Sequence, residues 1–211
     1  MKNRNGFVSN SSSSSFIVYR KDDDKDTREI PCECITERSR PFGQGTYKVL
    51  CLPSKECGDT AFGWENERHH SLMSRLNWCA IQMMYARDIE KAFELDNGEK
   101  VPSWRLKENF KNVVEKCFGV TVEYDYNSIA SDGFEGDFAY IDHQSSIYED
   151  RSISEFFADP EAIEAFLTGA HSYIQGGNDN DRMDGEWLES YKLMHPKAYE
   201  FFYGDKGESE E

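Results

Sequence analysis

Two segments with apolar residues at helical spacing constrain the fold of this chain more than any other sequence feature. In the first segment, the apolar positions recur every three or four residues and are Leu72, Leu76, Cys79, Ala80, Met83 and Met84. This spacing predicts a helix from residue 70 to about residue 95 with one apolar face. Asp96-Asn97-Gly98 is expected to end it.

The second helix is predicted to begin near Ser103, directly after Pro102, and to end at Gly119. Proline suits the start of a helix, and glycine suits its end. Its inward positions are Leu106, Phe110, Val113, Val114 and Cys117. Because each helix has only one apolar face, both must pack against another layer.

Strands are predicted where apolar residues alternate or run together. These segments are residues 16–18, 47–52, 120–126, 138–142 and 171–175, with a shorter one over 32–35. Residues 38–45 read as a turn, in which Gly43 and Gly45 can take positive φ. Residues 58–65 suit a loop or a second hairpin, and residues 176–181 suit a loop.

Two shorter helices are predicted in the second half of the chain. Ser152 and Glu155 form a capping box before Phe156, and Asp159-Pro160 opens a helix that stops at Gly169. Because no strand-helix unit repeats, the sequence predicts an α+β fold. We expect a single mixed domain over residues 1–203, with a mainly antiparallel sheet and two main helices packed on it. Residues 204–211 are expected to form a disordered acidic tail.

A serine run near the start of the chain lies between two apolar clusters. Phe7-Val8 precede the serines and Phe16-Ile17-Val18 follow them. A flexible linker has no apolar ends to bury, so the pattern predicts a strand, a tight serine loop and a second strand. The hydroxyls can bond the nearby backbone, bind an anion, or serve as nucleophiles or modification sites. Ser11, Ser12 and Ser13 are the candidates.

This stretch resembles the FVSNSSSSSF signature at the start of many uncharacterised bacterial and bacteriophage proteins. Three later pieces are similar to one phage branch of that set, namely residues 58–65, 76–78 and 176–180. The resemblance spans most of the chain and implies a bacterial or phage accessory protein. It implies no activity.

The charge of the chain is strongly asymmetric. The formal net charge is −16, from 40 acidic and 24 basic residues. Residues 121–211 hold 22 acidic and 5 basic residues, so the acidic excess lies in the second half. An acidic surface repels nucleic acid and anionic membranes and attracts cations or a basic protein. A merely solvated surface, mimicry of nucleic acid and cation binding remain the alternatives.

The start of the chain leads into serines and not into an apolar core, and no run reaches the roughly 18 apolar residues of a membrane span. The sequence therefore predicts a cytoplasmic protein, in the host cytoplasm if the chain is phage-encoded. In that compartment we expect reduced thiols and no disulfide framework. The six cysteines are Cys32, Cys34, Cys51, Cys57, Cys79 and Cys117.

Two polar segments outside the serine run are candidate sites. Asp142 and His143 lie at the C-terminal end of the strand predicted over residues 138–142, and His143 is a candidate base. If the strand continues through His143, the two side chains point to opposite faces and Asp142 cannot orient the imidazole. Asp179 and Asp181 lie in an oxygen-rich loop that favours a metal such as calcium, although the loop departs from the EF-hand pattern. The sequence does not identify a cofactor.

Three functional hypotheses follow from the sequence. The first is an acidic protein-interaction module with a basic partner. The second is an enzyme, or a small-ligand or metal-binding protein, whose pocket forms where the serine loop meets Asp142-His143 and the loop of residues 176–181. The third makes the serine run a modification or recognition site. No matched base, nucleophile and orienting group decides between them.

Overall fold

The computed structural model describes residues 13–26, 28–63, 67–86, 91–128, 139–141 and 145–178. All of these residues belong to one compact unit, Ser13–Asn178. Helices and mainly antiparallel strands are mixed along this unit, which confirms the predicted α+β fold. The predicted limits of the domain at residue 203 and of the tail at 204–211 lie outside the described residues and stay predictions.

The described residues contain four helices and ten strands. The helices are α1 (Leu72–Tyr85), α2 (Ser103–Phe118), α3 (Arg151–Ala158) and α4 (Pro160–Thr168). The strands are β1 (Ser13–Val18), β2 (Ile35–Ser39), β3 (Thr46–Leu52), β4 (Ala61–Phe62), β5 (Arg68–His69), β6 (Ala92–Glu94), β7 (Lys100–Pro102), β8 (Thr121–Tyr124), β9 (Tyr140–Ile141) and β10 (Tyr173–Asn178).

The strands form several small sheets where the sequence predicted one. Strand β10 lies between β1 and β5 and is antiparallel to both. Strand β3 lies between β2, which is antiparallel to it, and β8, which is parallel. Strands β4 and β9 form a parallel pair, and β6 and β7 form an antiparallel hairpin.

Helix α1 lies at the centre of the unit and is buried on every side. All residues from Leu72 to Met84 are buried, although the sequence predicted only one apolar face. The indole of Trp78 stacks on Phe157 at 6.2 Å and meets Phe156 and Phe166 edge to face. Burial of a large aromatic side chain contributes on the order of 2 to 3 kcal/mol, so this cluster is a main source of stability.

The polar side chains of α1 bind the backbone of segments that surround the helix. The Asn77 side chain accepts from the Ser54 N–H at 2.8 Å and donates to the carbonyls of Ser54 and Asp59, both at 2.9 Å. Gln82 donates to the Ser145 carbonyl at 2.6 Å and accepts from the Ile147 N–H at 2.9 Å. These groups can be buried because they satisfy loop backbone that would otherwise lack partners.

Arg75 on α1 binds the end of helix α4. Its Nη1 donates to the carbonyls of Phe166 at 2.6 Å and Gly169 at 2.9 Å, which have no partner within the helix. Burial lowers the pKa of the guanidinium to about 10, so it stays charged at neutral pH. Asp26, with Oδ2 at 3.9 Å from Nη2, is the nearest described counter-charge.

The predicted extent of the first helix was wrong. Helix α1 ends at Tyr85, and Ala92–Glu94 forms β6. Phe93 and Leu95 are buried while their neighbours are exposed, which is the alternation of a strand. The sequence Asn97-Gly98 therefore marks a hairpin turn and not a helix end, and Gly98 has φ of +82°.

The predicted limits of two helices were confirmed. Helix α2 begins at Ser103 and is capped by Gly119 at φ +67°, and α4 runs from Asp159-Pro160 to Gly169.

Two other local predictions were wrong. Ser152 and Glu155 do not form a capping box, because Asp150 caps α3 and Glu155 accepts from the Asp96 N–H. Residues 32–34 form a 3-10 turn before β2, where a strand was predicted.

Candidate functional site

Most of the predicted site residues lie outside the described part of the chain. These residues are Ser11, Ser12, Asp142, His143, Asp179 and Asp181. The backbone of Ser13 belongs to β1, opposite Asn178 of β10. The proposed roles of all seven residues therefore stay predictions.

Residues that the sequence assigned to two loops belong to strands. Ser13, Ser14 and Ser15 belong to strand β1, and Gly176 and Gly177 belong to strand β10. They lie outside the loops because the two strands continue to pair through them, with Ser15 opposite Gly176 and Ser14 opposite Gly177. The hairpin predicted between Phe7-Val8 and Phe16 falls partly outside the described residues. Its predicted second strand is part of β1, which pairs with the distant β10.

The described ends of three polar segments meet at Ser15. This residue lies opposite Gly176, and its backbone N–H donates to the Ser145 hydroxyl at 2.6 Å. Its side chain is only 6 % exposed, and its hydroxyl has no hydrogen-bond partner among the described residues. The described residues Ser15, Ser145 and Gly176 are thus neighbours at this point.

A polar network that the sequence did not predict joins Asp59 to His69. The Asp59 carboxylate lies 2.9 Å from His69 Nδ1 and accepts from the Ser74 hydroxyl at 2.6 Å. Burial, the largest contribution, acts to raise the pKa of Asp59, but the hydrogen bonds from Ser74 and His69 outweigh it and the pKa is lowered. The carboxylate therefore stays ionised and holds the imidazole in one orientation.

His69 could transfer a proton through its second ring nitrogen. The His69 ring is largely buried and packs against Phe62 at 5.0 Å, and Nε2 has no hydrogen-bond partner among the described residues. The strand register puts Ser15 and His69 on the same face of the sheet, with β10 between them. Ser15 lies opposite Gly176 and His69 opposite Ile174, so their backbones are two strand spacings and two residues apart, about 12 Å. This distance is too long for direct proton transfer between the side chains.

Residues 37–48, which we call the arm, form a two-stranded hairpin that extends beyond its sheet. Strand β8 pairs with β3 only over Val49–Leu52. The pairs Glu37–Lys48, Arg38–Tyr47 and Ser39–Thr46 therefore have no third strand beside them among the described residues. Every arm residue is exposed except Tyr47, which is half-buried.

Phe42 at the tip of the arm is 99 % exposed. Its φ is +61°, a left-handed conformation that glycine and asparagine favour and a phenylalanine seldom adopts. Gly43 and Gly45 also have positive φ, at +71° and +92°, as the turn chemistry predicted. The Arg40 N–H donates to the Gly45 carbonyl at 2.8 Å, so the turn that presents Phe42 is closed.

Side-chain contacts restrain the two strands of the arm. Arg38 forms a two-pronged ion pair with Glu123 of β8, with N–O distances of 2.8 and 2.9 Å. The guanidinium of Arg40 lies 5.7 Å from the centre of the Tyr47 ring. Three basic residues against one acidic residue give the arm a net charge of +2 in a chain of net charge −16.

A disulfide between Cys34 and Cys57 ties the base of the arm to the body. The predicted reduced state was therefore wrong for these two cysteines, because folding brings their Cα atoms to 6.3 Å, within the usual range for a disulfide. Cys32, Cys51, Cys79 and Cys117 are free thiols, as predicted.

The loop that carries Cys57 is itself fixed to helix α1. Asn77 binds the backbone of Ser54 and Asp59, and the Asp59 N–H donates to the Ser74 hydroxyl at 3.1 Å. A Cβ on Gly58 would lie 2.8 Å from the Ser74 nitrogen, so only glycine fits there. The arm is thus connected through the disulfide to the most buried helix of the unit.

The acidic residues described in the second half of the chain are largely paired within the fold. Glu164 binds Lys25 at 2.7 Å and Lys116 at 2.6 Å, and Asp159 binds Lys21 at 2.6 Å. Lys21, Lys25 and Glu164 line a surface cleft of about 220 Å³, together with Arg20, Asp23 and Glu161. Because its charges neutralise one another, the cleft serves structure better than binding of a charged ligand.

The described part of the chain contains neither a cluster of metal ligands nor a helix that could span a membrane. No three His, Cys, Asp or Glu side chains there are placed to share a metal ion. The helices of these residues are too short or too polar to span a bilayer.

Sequence reasoning missed three features of the site. The turn over residues 38–45 was predicted, but nothing marked Phe42 as exposed. Asp59 falls in the segment predicted as a loop or second hairpin, and nothing in the sequence linked it to His69. The high density of cysteines between residues 32 and 57 was the one available signal for the disulfide.

We compared the chain with models of protein families, with curated proteins and with solved structures, and none of the three comparisons gave a match. The resemblance of the serine run to the bacterial and phage signature stays a prediction.

Proposed function

We propose that this chain is a protein-interaction module that binds its partner through the arm, with Phe42 as the main contact. The observation that carries the proposal is a fully exposed phenylalanine in a left-handed conformation at the tip of a hairpin. Both features oppose folding. Exposed apolar surface and a strained backbone that folding does not need are typical of binding sites.

The arm is suited to binding because it is ordered before the partner arrives. The closed turn, the Arg38–Glu123 ion pair and the Cys34–Cys57 disulfide restrict its motion. A contact residue that is already fixed loses less conformational entropy on binding. Aromatic residues that enter a partner's pocket commonly supply most of the binding free energy.

The charge of the arm indicates the chemistry of the partner. Arg38 is neutralised by Glu123. The other charges of the arm are Arg40 and Lys48, with Glu37 opposite Lys48, which leaves a net charge of +1 near Phe42. A protein with an apolar pocket edged by carboxylates complements this pattern. Nucleic acid is a poorer match, because it requires a continuous basic groove and the chain carries a net charge of −16.

Photo-crosslinking tests the proposal. Phe42 is replaced by the photoreactive benzoylphenylalanine in the full chain, which is expressed in bacterial cells and irradiated. We expect one dominant protein adduct, identified by mass spectrometry. Arg40→Glu with Lys48→Glu should lower its yield severalfold, because the charge complementarity is reversed.

Trp104 offers a matched control, since it is another large aromatic residue, 50 % exposed on α2. The same photoreactive residue at position 104 should not give the dominant adduct. Equal labelling from the two positions, or labelling of nucleic acid instead of protein, would contradict the proposal.

The predicted acidic surface remains a separate proposal with a basic protein as partner. Of the 22 acidic residues in the second half of the chain, 14 lie outside the described residues. Those within it include the ion-paired Glu123, Asp159 and Glu164. The hypothesis therefore depends on the remaining residues. Binding of a basic protein that is insensitive to salt would count against it.

A second candidate function is acid–base catalysis at His69. It is favoured by the ordered Asp59–His69 pair and by His69 Nε2, which has no hydrogen-bond partner among the described residues. The full chain is assayed with chromogenic carboxylic esters, phosphate esters and glycosides. His69→Asn should lower any hydrolysis by about 100-fold, and His70→Asn should leave it unchanged. An equally active His69→Asn protein would exclude this role.

A further inference from the structure

We infer that the Cys34–Cys57 disulfide is a thiol–disulfide exchange site through which small thiols control how firmly the arm is held. This inference concerns regulation of the arm and rests on the proposed function. Both cysteines are partly exposed, so a monothiol of the glutathione class can reach the bond. The disulfide is the covalent link between the start of β2 and the loop fixed to α1.

Opening this bond removes an important restraint on β2. The strand lies at the edge of its sheet and pairs with β3 alone among the described strands. The loop of Cys57 keeps its bonds to Asn77 and Ser74 when the disulfide opens. The segment from Cys32 into β2 loses its tie to that loop. Reduction should therefore loosen the base of the arm and leave the body unchanged.

The chemistry is an ordinary two-step exchange. The thiolate of one monothiol attacks a sulfur of the disulfide, and the other cysteine leaves as a thiolate that takes up a proton. A second monothiol then attacks the mixed disulfide and releases the second cysteine. In total, the protein disulfide is reduced to two thiols and two monothiols are oxidised to their own disulfide.

A neighbouring free thiol competes weakly for the same bond. Leu50 lies opposite Ile35 at the end of the β2–β3 ladder, and Cys51 and Cys34 are the next residues along the chain from this pair. Burial, followed by the charges of Asp125 and Glu123, raises the pKa of the Cys51 thiol. A protonated thiol is a poor nucleophile, which favours exchange with external thiols over internal rearrangement.

Hydrogen exchange measured by mass spectrometry tests this inference on the full chain, with and without reduced glutathione. We expect amides of Ile35–Ser39 to exchange about 10-fold faster after reduction, because local opening becomes easier. Amides of α1 should be unchanged. The Cys34→Ser/Cys57→Ser variant should exchange rapidly in both conditions. The Cys32→Ser/Cys51→Ser variant, which keeps the disulfide, should respond like the natural chain.

Two results would overturn the inference. One is the same β2 exchange with and without glutathione; the other is six titratable thiols in protein that was never reduced. Cross-linking from position 42 separates this inference from the proposed function. Faster exchange with no adduct would contradict the interaction function and support the exchange site. An adduct with unchanged exchange would support the interaction and contradict thiol control.

Discussion

Phe42 shows how one residue can indicate function by opposing the stability of the fold. Its ring is exposed and does not pack in the core, and its backbone adopts the left-handed conformation at φ +61°. The neighbouring glycines adopt similar conformations without steric cost, so the turn does not require a phenylalanine. Folding alone therefore does not explain why this position holds a phenylalanine.

Phe42→Gly should stabilise the folded chain. Glycine adopts positive φ without the penalty of roughly 1 kcal/mol that other residues carry, and no buried contact is lost. We expect the free energy of unfolding in urea to rise by about this amount. Gln44→Gly, a matched change at an exposed position of the same turn with negative φ, should not raise it. A clear loss of stability in Phe42→Gly would show that the ring supports the arm.

The Asp59 network should make stability depend on pH. The pKa of Asp59 is lowered in the folded chain, so its contribution is present above the unfolded pKa and is lost as pH falls through the folded pKa. Because the side chain is 55 % exposed, solvent reduces the size of this effect. Urea unfolding from pH 6 down to about pH 3 should show a smaller loss in Asp59→Asn than in the natural chain. Identical slopes would contradict the network.

Helix α1 organises its surroundings through polar side chains as well as through its apolar face. Asn77, Arg75 and Gln82 each hold the backbone of a different segment. These bonds replace water for loops that pack on the helix, so the helix and the loops depend on one another. The arm is connected to this helix through the Cys34–Cys57 disulfide and the loop that Asn77 binds.

Asn77→Ala should lower the free energy of unfolding by about 3 kcal/mol, because it leaves three backbone groups of Ser54 and Asp59 without their partner. Urea denaturation measures the change. Glu108→Ala on the exposed face of α2 is the control and should stay within about 0.5 kcal/mol of the natural chain. A loss below about 1 kcal/mol for Asn77→Ala would show that water replaces the amide.

The sequence predicted an element well where local signals agreed. Helix α2 has a proline before it, a glycine after it and a clear apolar face, and its limits were confirmed. Helix α1 was harder, because Arg75, Asn77 and Gln82 look like a solvent-facing side and are buried only by segments distant in sequence. The exposure of the arm and the disulfide were not predicted, because both also depend on contacts between segments that are distant in sequence. The exposure of Phe42 depends on where β8 stops, and the pairing of Cys34 with Cys57 depends on the docking of a loop.

The unit as a whole joins the two halves of an asymmetric chain. Basic residues of the first half bind acidic residues of the second, as in Arg38–Glu123, Lys25–Glu164 and Lys21–Asp159. This pairing uses charges that the sequence had assigned to an acidic surface. The basic arm is the part of the described molecule whose exposed side chains are least explained by folding, which makes it the centre of the functional account.

The affinity of the cross-linked partner for arm variants tests this account most directly. Titration by isothermal calorimetry should show that Phe42→Ala weakens binding about 30-fold, as expected when an aromatic contact worth roughly 2 kcal/mol is removed. Trp104→Ala should bind within about twofold of the natural chain. Equal affinities for Phe42→Ala and the natural chain, with both proteins folded, would contradict the interaction function of the arm.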